Sequence, residues 1–122
     1  MRINIRIWSM SNRYTIYADD VTKEFTFGLH KNLPGVEGFV RQAVQIVKYW
    51  PDLLSDVNVT DGINYVIAYD DGVVSREVQG VCRVPEDFGN LLKLIRKYNP
   101  DADLLIAEEQ ARILSRLNFI EG

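Results

Sequence analysis

Tyr65-Val66-Ile67-Ala68-Tyr69-Asp70-Asp71-Gly72-Val73-Val74-Ser75-Arg76-Glu77-Val78 is the stretch that sets the architecture. Two runs rich in β-branched and aromatic residues flank Asp71-Gly72. That dipeptide is favoured where both central residues of a two-residue hairpin turn need positive φ. With Asp71-Gly72 as the turn, Tyr69 faces Val74, Ile67 faces Arg76 and Tyr65 faces Val78. Tyr65, Ile67, Tyr69, Val74 and Val78 then share a face, with the Arg76 guanidinium set among them. A three-residue turn would shift that register. Gly80 is expected at a bulge or at the end of pairing.

Towards the N-terminus the period of two continues. Ile3, Ile5 and Ile7 alternate with Arg2, Asn4, Arg6 and Trp8. Tyr14, Ile16 and Ala18 alternate with Arg13, Thr15 and Tyr17, and Phe25, Phe27 and Leu29 with Glu24, Thr26 and Gly28. Such spacing predicts three strands with one buried face, turned at residues 9–12 and at Asp19-Asp20. Pro34 suits the opening of a helix, and Val36, Phe39, Val40, Ala43, Val47 and Trp50 line one helical face before Pro51 ends it. A short strand is expected around residues 57–59.

Beyond the hairpin, Pro85 starts a second helix with the stripe Phe88, Leu91, Leu92 and Ile95. Asn99-Pro100 stops it and begins a third helix running to about Leu117. The expected fold is α+β: an antiparallel sheet packed with three helices in the order βββαββαα, with residues 1–122 as one domain.

At 122 residues, with 47% hydrophobic and 25% charged, the chain can bury a core without a disulfide or a metal. A net charge of −3 argues against a duplex-DNA binder. A single cysteine excludes an internal disulfide and fits the reducing cytoplasm, which makes the sequon Asn58-Val59-Thr60 incidental. No run of about 18 apolar residues is present, so no membrane span is expected. The alternating N-terminus lacks the continuous apolar stretch of a signal peptide.

The inventory points away from catalysis. His30 and Cys82 are single, with no nucleophile–base pair, phosphate loop or spaced metal ligands nearby in sequence. Asp19-Asp20, Asp70-Asp71 and Asp101/Asp103 sit at turns or a helix start, where Asp bonds the local backbone. No enzyme activity, metal or cofactor is expected.

Four residues are candidates for an anion site. Arg76, on an apolar face, needs a carboxylate, a ring or an anionic ligand, unless it reaches the sheet edge or pairs internally. Arg112 and Arg116 lie one turn apart on the polar side of the last helix, which otherwise reads as a solvated face paired by Glu108. Asn90 joins Lys93, Arg96 and Lys97 on the second helix, a basic stripe that the helix dipole also explains. Two further features suggest interfaces. Trp8 and Tyr17 fall opposite the isoleucines, with Arg6 and Arg13, as a stacking platform or a protein contact unless helices cover them. In the last helix Leu104, Ile106, Ala107, Ala111, Ile113, Leu114 and Leu117 span an arc of roughly 200°. That is wide for a monomer's surface helix and suggests a homo-oligomer touching at Ile113.

The meander of residues 1–29, the hairpin of residues 65–78 and the helix pair of residues 85–117 follow one another in an order similar to that of small phage proteins that block Thoeris defence. Those proteins sequester a cyclic ADP-ribose signal. The resemblance is one of architecture and assigns no residue a role. It implies a nucleotide held at subunit contacts without cleavage, as phage counter-defence in the host cytoplasm. The expected function is therefore non-enzymatic sequestration of a small anionic, nucleotide-like ligand by a cytoplasmic homo-oligomer. The alternative is an inhibitor or adaptor that binds another protein through the strand face around Trp8 and Tyr17.

Overall fold

Period-two stretches become strands here because each has an apolar side to bury. In the computed structural model, residues 1–9, 13–28, 33–55 and 62–100 are described. Strands β1 (Arg2–Trp8), β2 (Arg13–Asp19) and β3 (Glu24–Phe27) form the expected meander. Helix α1 (Val36–Val47) follows, then β4 (Leu53–Ser55), β5 (Asn64–Asp70), β6 (Ser75–Val81) and helix α2 (Phe88–Tyr98). The sheet order is β3-β2-β1-β5-β6-β4, so antiparallel pairing of β1 with β5 joins the meander to the hairpin.

The sheet is mixed rather than antiparallel, because β4 pairs parallel with β6. The sequence did not signal β4 at Leu53–Ser55, and the strand expected around residues 57–59 and the third helix lie outside the described residues. The hairpin register also differs, since Tyr69 pairs with Arg76, Ile67 with Val78 and Tyr65 with Gly80. Only Gly72 has positive φ (94°) in the turn, whereas the two-residue turn needs it at Asp71 as well. The chain instead makes a four-residue loop, Asp71 to Val74, whose ends pair as Asp70 with Ser75. Asp71 Oδ1 accepts from the Val73 and Val74 amides (2.8 and 2.7 Å), and Asp70 from the Gly72 amide (2.8 Å) and the Ser75 hydroxyl (3.0 Å). The shift is by two residues, so Arg76 keeps its face while Val74 leaves the strand.

Gly80 is neither bulge nor strand end. It pairs beneath Tyr65, where a Cβ would meet the Tyr65 ring and come within 2.6 Å of the Arg83 carbonyl. Only glycine admits that ring.

One face of the sheet carries Ile3, Ile5, Ile7, Ile16, Phe25, Tyr65, Ile67 and Val78 into a core shared with both helices. Each fully buried isoleucine contributes about 1.5–3 kcal/mol. Helix α1 supplies Val36, Phe39, Val40, Ala43, Val44 and Val47, and α2 supplies Phe88, Leu91, Leu92, Leu94 and Ile95. The helices run antiparallel. Tyr98, at the end of α2, meets Phe39 near the start of α1 (ring centroids 5.5 Å), and Phe88 meets Trp50 beyond the end of α1 (5.8 Å). Trp50 lies past the helix rather than within it, held by donation from Nε1 to Asp87 Oδ1 (2.7 Å). No described helix is long and apolar enough to cross a membrane.

Candidate functional site

Strand alternation aims every second side chain away from the helices, and among the described residues no helix lies on that opposite face. The register places Trp8 beside Arg13, Arg6 beside Thr15 and Asn4 beside Tyr17. Directly opposed side chains in such pairs have Cβ atoms about 4.5–5.5 Å apart. Trp8 and Tyr17 are half-buried, while Arg6 and Arg13 are exposed. Among the described residues neither guanidinium forms an ion pair. Arg6, Trp8, Arg13 and Thr15 line a concavity of about 280 Å³.

A larger hollow of about 500 Å³ opens on the same face over Ala68. Its rim includes Arg2, Asn4, Tyr17, Asp70 and Glu77. The Tyr17 hydroxyl donates to Asp19 Oδ2 (3.2 Å). Burial, then that carboxylate, pushes the Tyr17 pKa up, so the side chain presents a neutral ring. Asp19 is held below the usual carboxylate range chiefly by the Val21 amide. Sequence reading missed this hollow, because Ala68 is an ordinary alternating strand residue until its neighbours are known.

Arg76 stands on the helical side of the sheet and spends its donors there. Nε and Nη2 donate to Asp52 Oδ1 (3.0 and 2.8 Å), Nη1 to the Lys48 carbonyl (2.9 Å) and Nη2 to the Trp50 carbonyl (2.6 Å). Hydrogen bonding to Asp52, then to Tyr69, holds its pKa above the ordinary arginine value. The internal carboxylate thus supplies the partner that its apolar position demands, and the guanidinium caps carbonyls leaving the end of α1.

Asn90 is exposed on α2, on the other side of the sheet from Trp8. Arg112, Arg116 and Ile113 lie outside the described residues, as does His30. Arg96 and Lys97 fall in the last turn of α2, where cations complement the dipole. Cys82 is half-buried with φ 58°, its amide donating to Asn64 Oδ1 (3.1 Å), so it turns the chain out of β6. The candidate residues brought together are therefore Trp8 and Tyr17, with Arg6 and Arg13.

Chemically, a planar guanidinium donates two parallel hydrogen bonds to a phosphate or carboxylate, and an indole face stacks a planar ring. Protein-family models, curated protein sequences and solved structures return no match to this chain.

Proposed function

We propose that this protein is a non-enzymatic, cytoplasmic binding protein for a small anion that carries a planar ring, a nucleotide-like ligand taken on the open sheet face. The observation that carries the reading is the pair of guanidiniums, Arg6 and Arg13, beside the half-buried indole of Trp8 in one concavity. Phosphate is held by the guanidiniums and the base stacks on the indole. This moves the anion site from Arg76, whose donors are engaged, to the first two strands. A signal of the cyclic ADP-ribose type, implied by the resemblance to Thoeris anti-defence proteins, belongs to this ligand class. Sequestration by a homo-oligomer remains part of the proposal, motivated by the apolar arc of residues 104–117.

The test is calorimetric titration with AMP, followed in parallel by tryptophan fluorescence. AMP should quench emission in the wild type and leave it unchanged in Trp8→Phe, where only the buried Trp50 remains. Arg6→Ala and Arg13→Ala should each weaken binding by roughly tenfold or more, the loss of one charge-assisted contact. Equal AMP affinity in wild type and both arginine variants would sink the reading.

The second reading, a protein-binding adaptor, is favoured by a different observation. Leu53 and Val81 are 58% and 45% exposed on the same outward face, giving it apolar area beyond the Trp8 concavity. Failure of AMP to bind, together with capture of a defined protein that Val81→Glu abolishes, would replace the first reading with this one.

A further inference from the structure

We propose that the hollow over Ala68 is a subsite for an organic cation, an ammonium or guanidinium group on an alkyl arm. On this outward face Ala68 sits between Asn4 on β1 and Glu77 on β6, its cross-strand partners. A methyl group between two longer side chains leaves a floor that is apolar and a rim that is polar. The Tyr17 ring stands beyond Asn4 as a side wall.

One charge at that rim is left without an ion-pair partner among the described residues, and it is a carboxylate. Among the described residues, the Glu77 carboxylate forms no ion pair, and Asn4 Oδ1, shielded from solvent, accepts no hydrogen bond. Asp70 and Tyr17 in the lining are engaged by hydrogen bonds. Asp70 accepts from the Gly72 amide and the Ser75 hydroxyl, and Tyr17 donates to Asp19. Of the cations at the rim, Arg2 faces Asp70 (3.9 Å) and Arg76 turns to the helical side.

Ligand chemistry follows from what is left over. An anion would meet Glu77 and Asp70. An apolar group would desolvate the Glu77 carboxylate without pairing it. A cation with N–H donors pairs with the Glu77 carboxylate while lying against an aromatic ring. Asn4 and Arg6 are two residues apart on β1, about 7 Å along an antiparallel strand. The cation subsite and the Trp8 concavity can thus hold opposite ends of one bipolar ligand. That last step rests on the nucleotide-like reading, whereas the cation subsite itself does not.

Agmatine, which carries a guanidinium and an amine on a butyl chain, is the probe. In a heteronuclear NMR titration it should shift the amides of Asn4, Ala68 and Glu77. Glu77→Gln should weaken binding about tenfold by removing the charge from one contact, and Ala68→Leu should abolish binding by filling the floor. Both positions point away from the core, and thermal unfolding should confirm that each variant folds. AMP affinity should be unchanged in both. Spermidine and arginine methyl ester, run alongside, distinguish a polyamine from an arginine side chain as the source of the cation. No binding of any of the three cations, or binding equally strong in Glu77→Gln and Ala68→Leu, overturns the proposal even where AMP binds. Loss of AMP binding with agmatine binding intact overturns the Trp8 reading and leaves the cation subsite standing.

Discussion

At Arg76 one guanidinium pins the connection from α1 to β4 onto β6, donating to the Lys48 and Trp50 carbonyls and to the Asp52 carboxylate. Arg76→Ala would leave two partly buried carbonyls without their donor, so unfolding should be easier by about 1–3 kcal/mol. Arg76→Lys should recover only part of this, because an ammonium cannot bridge these acceptors in one plane. Denaturant titration of both variants measures the effect. AMP affinity should not change, and a loss of AMP binding without loss of stability would return Arg76 to the ligand site. The need for a partner was legible at Arg76 from its place on an apolar face. Which partner it takes was not, because Asp52 is distant in sequence and reaches it only once β4 lies beside β6.

Among the elements, the β5–β6 hairpin shows how local chemistry can outvote a favoured dipeptide. Asp70 and Asp71 both bond the loop backbone, and those amides lower both carboxyl pKa values, Asp70 chiefly through Gly72 and Asp71 chiefly through Val74. A carboxylate with a folded pKa below its unfolded value of about 3.9 stabilises the fold above that pH. The contribution is lost as pH falls through the unfolded value towards the lowered folded one. Thermal midpoints should therefore be flat near neutrality and fall as pH drops below about 5. Asp71→Asn keeps an acceptor but does not titrate, so its midpoint should fall less steeply in that window. A variant whose acid slope matches the wild type would show that the loop carboxylate carries none of the linkage. The strands on both sides of this loop were readable from alternation; their register was not, since it depends on loop hydrogen bonds and on Tyr65 finding the bare backbone of Gly80.

For the whole molecule, one sheet face is spent on the helices and the other is bare of described helices, with an arginine–indole concavity and a hollow with the Glu77 carboxylate at its rim. Self-association is expected from the apolar arc of residues 104–117. Light scattering at micromolar concentration should report at least a dimer, and Ile113→Glu should shift it towards monomer. A wild-type chain that stays monomeric across a wide concentration range would remove oligomerisation from the proposed function.

The sequence by itself determined the α+β class, the positions of the first two strands and the side on which each of their alternating residues falls. Those properties follow from periodicities of two and 3.6, which any chain must satisfy locally to bury one face. It also set Trp8, Tyr17, Arg6 and Arg13 on a common face, since all alternate with the buried residues of β1 and β2. Tertiary structure alone decided that β4 would pair parallel with β6 and that Arg76 would be consumed by α1 and Asp52. It alone set Ala68 between Asn4 and Glu77 as a hollow. Each of these depends on pairing between segments far apart in the chain, and no local spacing encodes which distant strand becomes a neighbour.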